Sequence, residues 1–107
     1  MEITSLNSSI RDAAEAVLVS RCRTTFVVDD NRVLYGSVTE GDLVRAFLKG
    51  VNLDASVRHI MNTNPVFLLE NYEKKEASSL MTSHGHSAIP VLDGNRKLLR
   101  VLKQTDI

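Results

Sequence analysis

Residues 26–43 read FVVDDNRVLYGSVTEGDL, and residues 90–107 read PVLDGNRKLLRVLKQTDI. Sliding the chain by 64 positions superposes the two stretches, and the match runs without a gap back to residues 7 and 71. The identical pairs are Asn7/Asn71, Ala13/Ala77, Val27/Val91, Asp29/Asp93, Asn31/Asn95, Arg32/Arg96, Leu34/Leu98 and Asp42/Asp106. Arg11/Lys75, Asp12/Glu76, Val17/Met81, Val28/Leu92, Val38/Leu102 and Leu43/Ile107 are conservative pairs between them. The identities crowd around one turn. A duplicated unit is the economical explanation, and it governs how everything else is read.

Outward from that turn, Thr25-Phe26-Val27-Val28 is a short β-rich run, Asp29-Asp30-Asn31-Arg32 is turn chemistry, and Val33–Val38 is a second strand, so the three form a hairpin. Upstream, Ser9-Ile10-Arg11-Asp12 is a capping-box start with Asp at its last position. Ile10, Ala13, Ala14, Val17 and Leu18 then share one face of a helix running to about residue 20. Downstream, Leu43, Val44, Phe47 and Leu48 share a face of a second helix, which Gly50 ends as a C′ residue. The linker 51–64 holds a single turn over Val57–Met61 before Asn64-Pro65 breaks it. The second copy predicts a strand at Val66–Leu69, a helix over 72–84 with Ala77, Leu80 and Met81 inward, and strands at 88–92 and 97–102. It reaches Ile107 where its closing helix is due. The expectation is a fragment cut from a longer protein; the alternative is that a neighbouring subunit fills the gap.

At 107 residues there is room for one domain or two very small repeats. Thirteen Lys+Arg balance thirteen Asp+Glu, so no excess of positive charge exists to drive nucleic-acid or membrane-surface binding through counterion release. Zero net charge also removes self-repulsion, which favours self-association. Lone Cys22 has no internal disulfide partner, and no apolar run reaches 18 residues. A cytoplasmic, soluble protein is expected, with no nucleic-acid or membrane partner.

Gly36-Ser37-Val38-Thr39-Glu40-Gly41-Asp42 sits at a strand-to-helix junction. Gly36 permits close approach to the strand backbone. The Thr39 hydroxyl and the first N–H groups of the helix are placed to receive a phosphate, and Asp42 to accept from a ribose diol. Thr39-x-x-Asp42 is equally a capping box that needs no ligand. Both readings stand on the motif alone.

The repeat, together with "TTFVVDDNRVLYGSVTEGDLVRAFLKG", "VRHIMNTNPV" and "HSAIPVLDGNRKLL", resembles a pair of CBS (cystathionine β-synthase) domains. Gly36, Thr39 and Asp42 match that family's nucleotide-binding pattern, and Ile60-Met61 and Ile89-Pro90-Val91 match its other recurring marks. The resemblance implies an α+β fold: two tandem β-α-β-β-α repeats, 1–63 and 64–107, in pseudo-twofold arrangement, the second lacking its closing helix. It implies a regulatory module, not a catalyst, that binds an adenosine nucleotide (AMP, ADP or ATP) between the repeats and requires no cofactor. Carried over, the site comprises Gly36, Ser37, Val38, Thr39 and Asp42 of the first repeat. Asn64, Pro65, Val66, Ser87, Ala88 and Ile89 lie against the base, with His86 near the phosphate. A homodimer is the implied assembly. The similarity extends to CBS pairs fused to sugar-phosphate nucleotidyltransferases, the expected parent, and to arabinose 5-phosphate isomerases. A ligand-free module for dimerisation is the alternative.

In the second repeat Arg100 stands where Gly36 does and Lys103 where Thr39 does, while Asp106 is kept. An adenosine cleft of the usual shape is not expected there. The two cations either take a more phosphorylated ligand or cap the sheet edge against aggregation, and the second is preferred. His84-Gly85-His86, His59 and Cys22 do not have the spacing of a metal site.

Overall fold

A computed structural model describes residues 2–106. The 64-residue offset holds element by element. β1 (Ile3–Ser5), α1 (Ile10–Val19), β2 (Thr24–Val28), β3 (Leu34–Thr39) and α2 (Glu40–Leu48) make the first copy, followed by a 3-10 turn at Val57–His59. β4 (Leu68–Leu69), α3 (Lys74–Ser83), β5 (Ala88–Leu92) and β6 (Leu98–Lys103) make the second. Where α2 has its counterpart, Gln104–Asp106 form a 3-10 turn, and Ile107 lies outside the described residues. Each copy has a three-stranded sheet, β1-β2-β3 and β4-β5-β6, with one parallel and one antiparallel pairing. The chain is therefore an α+β tandem repeat.

Local chemistry accounts for the repeated turn. The Asp29 carboxylate accepts from the N–H groups of Asn31 and Val33, both at 2.9 Å, and Asp93 does the same for Asn95 (2.8 Å) and Lys97 (2.9 Å). Arg32 and Arg96 both take a positive φ, 66° and 64°. A register shift falls between Val27 and Val28 in one hairpin and between Val91 and Leu92 in the other.

Side chains of β2 alternate between two cores. Val27 points to the core shared with Leu6, Ala13, Val17, Val38 and Val57 beneath α1. Phe26 and Val28 point the other way, onto Leu34, Leu92 and Leu98, so the two sheets share a central core across the repeats. In the second repeat Leu68, Ala77, Met81, Ile89, Val91 and Leu102 form the equivalent of the first core. With both faces covered, all of β2 is buried.

Several expected boundaries and faces differ. β1 precedes the first residue assigned to an element from sequence. β4 shrinks to Leu68–Leu69 because only these pair with Val91 and Leu92; Pro65 has no N–H to contribute to a ladder. α3 starts at Lys74, since the Tyr72 N–H turns back to the Leu69 carbonyl at 3.0 Å. Ile10, Ala13 and Val17 face inward on α1, but Leu18 is 83% exposed. On α2, Ala46 is the buried residue; Val44, Phe47 and Leu48 are exposed. The two helices therefore turn part of their apolar surface outward. Gly50 does follow the helix end, with φ +72°.

Candidate functional site

The site is built on β3. The Ser37 N–H donates to the Asn62 carbonyl at 3.0 Å, and the Asn62 N–H to the Ser37 carbonyl at 2.8 Å. This bridge ties the linker to the strand beside Gly36. A Cβ on Gly36 would lie 2.7 Å from the Asn62 oxygen and 3.0 Å from Met61 Cγ and Sδ. What approaches Gly36 is thus the protein's own linker. The Asn64 N–H then bonds to Asn62 Oδ1 at 3.0 Å, a local turn just before Pro65 and Val66.

A cleft of about 210 Å³ opens between these segments. Ser37 and Thr39 line it from the first repeat, Asn64, Pro65 and Val66 from the linker, and His86, Ser87 and Ala88 from the approach to β5. Thr24, Phe26, Asn62 and Gly85 complete the wall. Phe26, Pro65, Val66 and Ala88 are apolar, and the remaining side chains supply hydroxyl, amide and imidazole groups. Such a mixture suits a small ligand with one flat apolar part and one polar part. The Ser87 hydroxyl donates to the Cys22 carbonyl at 3.0 Å, fastening the second repeat's wall to the first.

Of the expected residues, four stand outside this lining. Gly36 lies under the linker, as above. Val38 and Ile89 are fully buried, each in its own repeat's core, and support the strands rather than face the cleft. Asp42 lies one helical turn beyond Thr39 and closes the capping box. Its Oδ2 accepts from the Thr39 N–H (2.9 Å) and hydroxyl (3.0 Å), and its own N–H donates to Thr39 Oγ1 at 3.2 Å. Its Oδ1 accepts from Arg45 Nη2 at 2.6 Å. Asp42, Arg45, Lys49 and His59 border a separate hollow. Thr24, Phe26, Asn62 and Gly85 were not singled out from sequence. Asn62 and Gly85 flank residues that were, but Phe26 reads only as a strand residue.

The corresponding region of the second repeat is built differently. Lys103 keeps the local geometry of Thr39: its N–H donates to Asp106 Oδ2 at 2.7 Å. Its ammonium forms an ion pair with Glu2 Oε1 at 2.5 Å, and Glu2, Ser20, Arg21 and Lys103 border the hollow there. Burial would push the Glu2 carboxyl up, but the hydrogen bond from Lys103 and the Glu2 backbone N–H outweigh it and hold it below its ordinary value. The same hydrogen bond and the Glu2 charge raise Lys103. Arg100 points elsewhere, donating to Tyr72 Oη at 2.8 Å with its guanidinium 5.5 Å from that ring's centroid. The two cations are therefore not neighbours in one site.

Among the described residues no three His, Cys, Asp or Glu side chains are grouped as metal ligands, and no helix is long and apolar enough to cross a membrane.

Comparison with known proteins matches this architecture. The chain is 33% identical over 101 residues to the arabinose 5-phosphate isomerase KdsD of Escherichia coli (strain K12), covering 94% of this chain and 30% of that protein. It is 30% identical over 81 residues to the uncharacterized protein YtoI of Bacillus subtilis (strain 168), covering 76% of this chain and 17% of that one. The chain thus spans less than a third of the length of these curated relatives. Among solved structures, CBSX2 in complex with AMP superposes with a TM-score of 0.82 at 22% identity, covering 97% of this chain and 82% of that one. A CBS domain protein from Pyrobaculum aerophilum complexed with AMP gives 0.81 at 23% identity, covering 97% and 80%. The profile described as CBS domain matches residues 3–49 and again 57–107, the two halves that the internal repeat and the paired sheets define. On that match this chain belongs to the CBS domain family, as a tandem pair.

Proposed function

We propose that this CBS pair binds an adenosine nucleotide in the cleft between its repeats and thereby regulates a catalytic domain joined to it in a longer protein. The observation that carries the proposal is the convergence of Ser37 and Thr39, the linker Asn64–Val66, and His86–Ala88 on one cleft. A ligand there touches both repeats. It favours whichever relative arrangement of the repeats it fits, and that preference passes to whatever is attached. The base lies against Pro65, Val66 and Ala88, the phosphate near Thr39 and His86, and the ribose takes Asp42 as Arg45 releases it. The AMP complexes of two structural relatives support an adenosine ligand. The module itself is non-catalytic and cytoplasmic, with repeats dividing at 63/64. Its attached enzyme is a sugar-phosphate enzyme. A nucleotidyltransferase and an arabinose 5-phosphate isomerase both fit the sequence resemblance, and the identity to KdsD supports the isomerase.

Calorimetric titration with AMP, ADP and ATP tests the proposal. Saturable binding near one ligand per chain is expected for at least one of them. No heat and no protection from unfolding with any of the three would defeat the nucleotide reading.

A second reading has its own support. Leu18, Val19, Val44, Phe47 and Leu48 are exposed on α1 and α2, an apolar surface suited to a second copy of the chain. Under that reading the pair is a homodimerising structural module, and sedimentation gives the same dimer affinity with and without nucleotide.

A further inference from the structure

We infer that the cleft selects for low ligand charge: it takes a nucleoside or a nucleoside monophosphate and disfavours di- and triphosphates, with Glu40 enforcing the limit. The inference rests on the adenosine reading of the cleft.

Neither Lys nor Arg is among the residues that line the cleft, and His86 is its one lining side chain able to carry a positive charge. Beyond the neutral hydroxyl and amide groups of the walls, further phosphates would draw on the start of α2, the helix that follows Thr39. Those donors are largely committed. The Thr39 N–H and hydroxyl both go to Asp42 Oδ2, the Asp42 N–H goes to Thr39 Oγ1, and the Glu40 N–H goes to the Arg23 carbonyl at 3.2 Å. Of the first three N–H groups of the helix, that of Gly41 is left without an acceptor on this account, since a helix supplies none at its second position. Within the lining, His86 can serve one phosphate.

Charge points the same way. Arg23 precedes Thr24 and Glu40 follows Thr39, so this pair joins segments that line the cleft. Arg23 Nη1 lies 3.3 Å from both Glu40 oxygens, and Arg45 is bound to Asp42. Two guanidinium groups and two carboxylates sum to zero. A phosphate that reaches the other N–H groups of Arg23 meets the Glu40 carboxylate held at its Nη1. At physiological salt the screening length is about 8 Å, too long to hide a carboxylate from an adjacent phosphate chain.

The test is competitive binding of adenosine, AMP, ADP and ATP to the whole chain at fixed ionic strength without added divalent cation. AMP is expected to bind about tenfold more tightly than ADP, and ADP more tightly than ATP, the size expected of one partly screened charge contact. Glu40→Gln is expected to narrow the AMP-to-ADP ratio several-fold. If adenosine binds but ADP or ATP matches or exceeds AMP, the charge limit is overturned while the adenosine cleft survives. An unchanged ratio in Glu40→Gln removes Glu40 from the role. Failure of all four ligands to bind overturns the adenosine reading and this inference with it.

Discussion

Leu34 and Leu98 occupy the same position in the two repeats and are joined through each other's turns. The Leu34 N–H donates to the Arg96 carbonyl at 2.9 Å, and the Leu98 N–H to the Arg32 carbonyl at 2.8 Å. An isolated antiparallel bridge between Val33 and Lys97 lies beside them. The Arg32 side chain adds a bond from Nε to the Leu98 carbonyl at 3.2 Å. Both leucine side chains are buried in the core shared by the two sheets. The pseudo-twofold axis therefore runs through a continuous set of backbone bonds and apolar contacts that couples the two hairpins.

From this coupling, unfolding should be a single cooperative transition, with fluorescence of the tyrosines and far-UV circular dichroism coinciding. Leu98→Ala is expected to lower stability by about 2–5 kcal/mol, since the side chain is 1% exposed and leaves a cavity between the sheets. Two separated denaturant transitions in the parent chain would refute the shared core as the source of cooperativity.

Gly36→Ala introduces a methyl group 2.7 Å from a backbone oxygen that has no flexible route away. A loss of about 1–3 kcal/mol is expected, the usual range for overpacking. Because the displaced Asn62 leads to Asn64, Pro65 and Val66, nucleotide affinity should fall as well. Thermal melts and titration of the same variant check both effects. For stability, Ser37→Ala serves as the comparison, as it keeps the bridge through the main chain.

Asp42→Ala removes the carboxylate half of a capping box and leaves the bond from its N–H to Thr39 Oγ1, so a cost of about 0.5–1.5 kcal/mol is expected even without ligand. Under the proposed function it also weakens nucleotide binding markedly. Arg45→Ala separates the two roles: the cap remains, and the freed carboxylate should bind a ribose at least as well as before. Equal nucleotide affinity in Asp42→Ala and the parent chain would sink the ribose assignment.

The Glu2–Lys103 pair makes stability depend on pH in a defined direction. Glu2 is held below its ordinary value of 4.5, so its contribution is present above that value and is lost as the pH falls through the lowered one. Lys103 is raised, so its contribution is present below its ordinary value of 10.5 and is lost only as the pH rises beyond it. Glu2→Gln should therefore flatten the acid limb of a stability-versus-pH curve and leave the neutral region nearly level. Chemical denaturation at a series of pH values measures this. An identical acid limb in the variant would show that the pair contributes nothing.

Phe47 is 73% exposed and Leu48 77%, so Phe47→Asp should leave the monomer's fold and melting behaviour within about 0.5 kcal/mol of the parent. If α1 and α2 carry a dimer, sedimentation should show that this one change shifts the chain to monomer. A parent chain that is monomeric at all concentrations would remove the second reading.

Sequence alone determined the features that depend on bonds between near neighbours. Asp29 and Asp93 set the turns through N–H groups two and four residues on, and Ser9–Asp12 and Thr39–Asp42 set the helix starts three residues apart. These survive translation by 64 positions because local chemistry travels with the residues that make it. That Ser37, Thr39, Asn64–Val66 and His86–Ala88 belong together was also legible, through the family pattern they match, and they line one cleft. Tertiary structure decided what lies between distant segments. It placed Asn62 over Gly36, turned Leu18 and Phe47 outward, and brought Glu2 to Lys103. Periodicity names the apolar face of a helix but not how much of that face the rest of the chain covers. A carboxylate and an ammonium at opposite ends of the chain carry no local signal of pairing; only the packing of β1 beside β2, and of one sheet on the other, sets the distance between them.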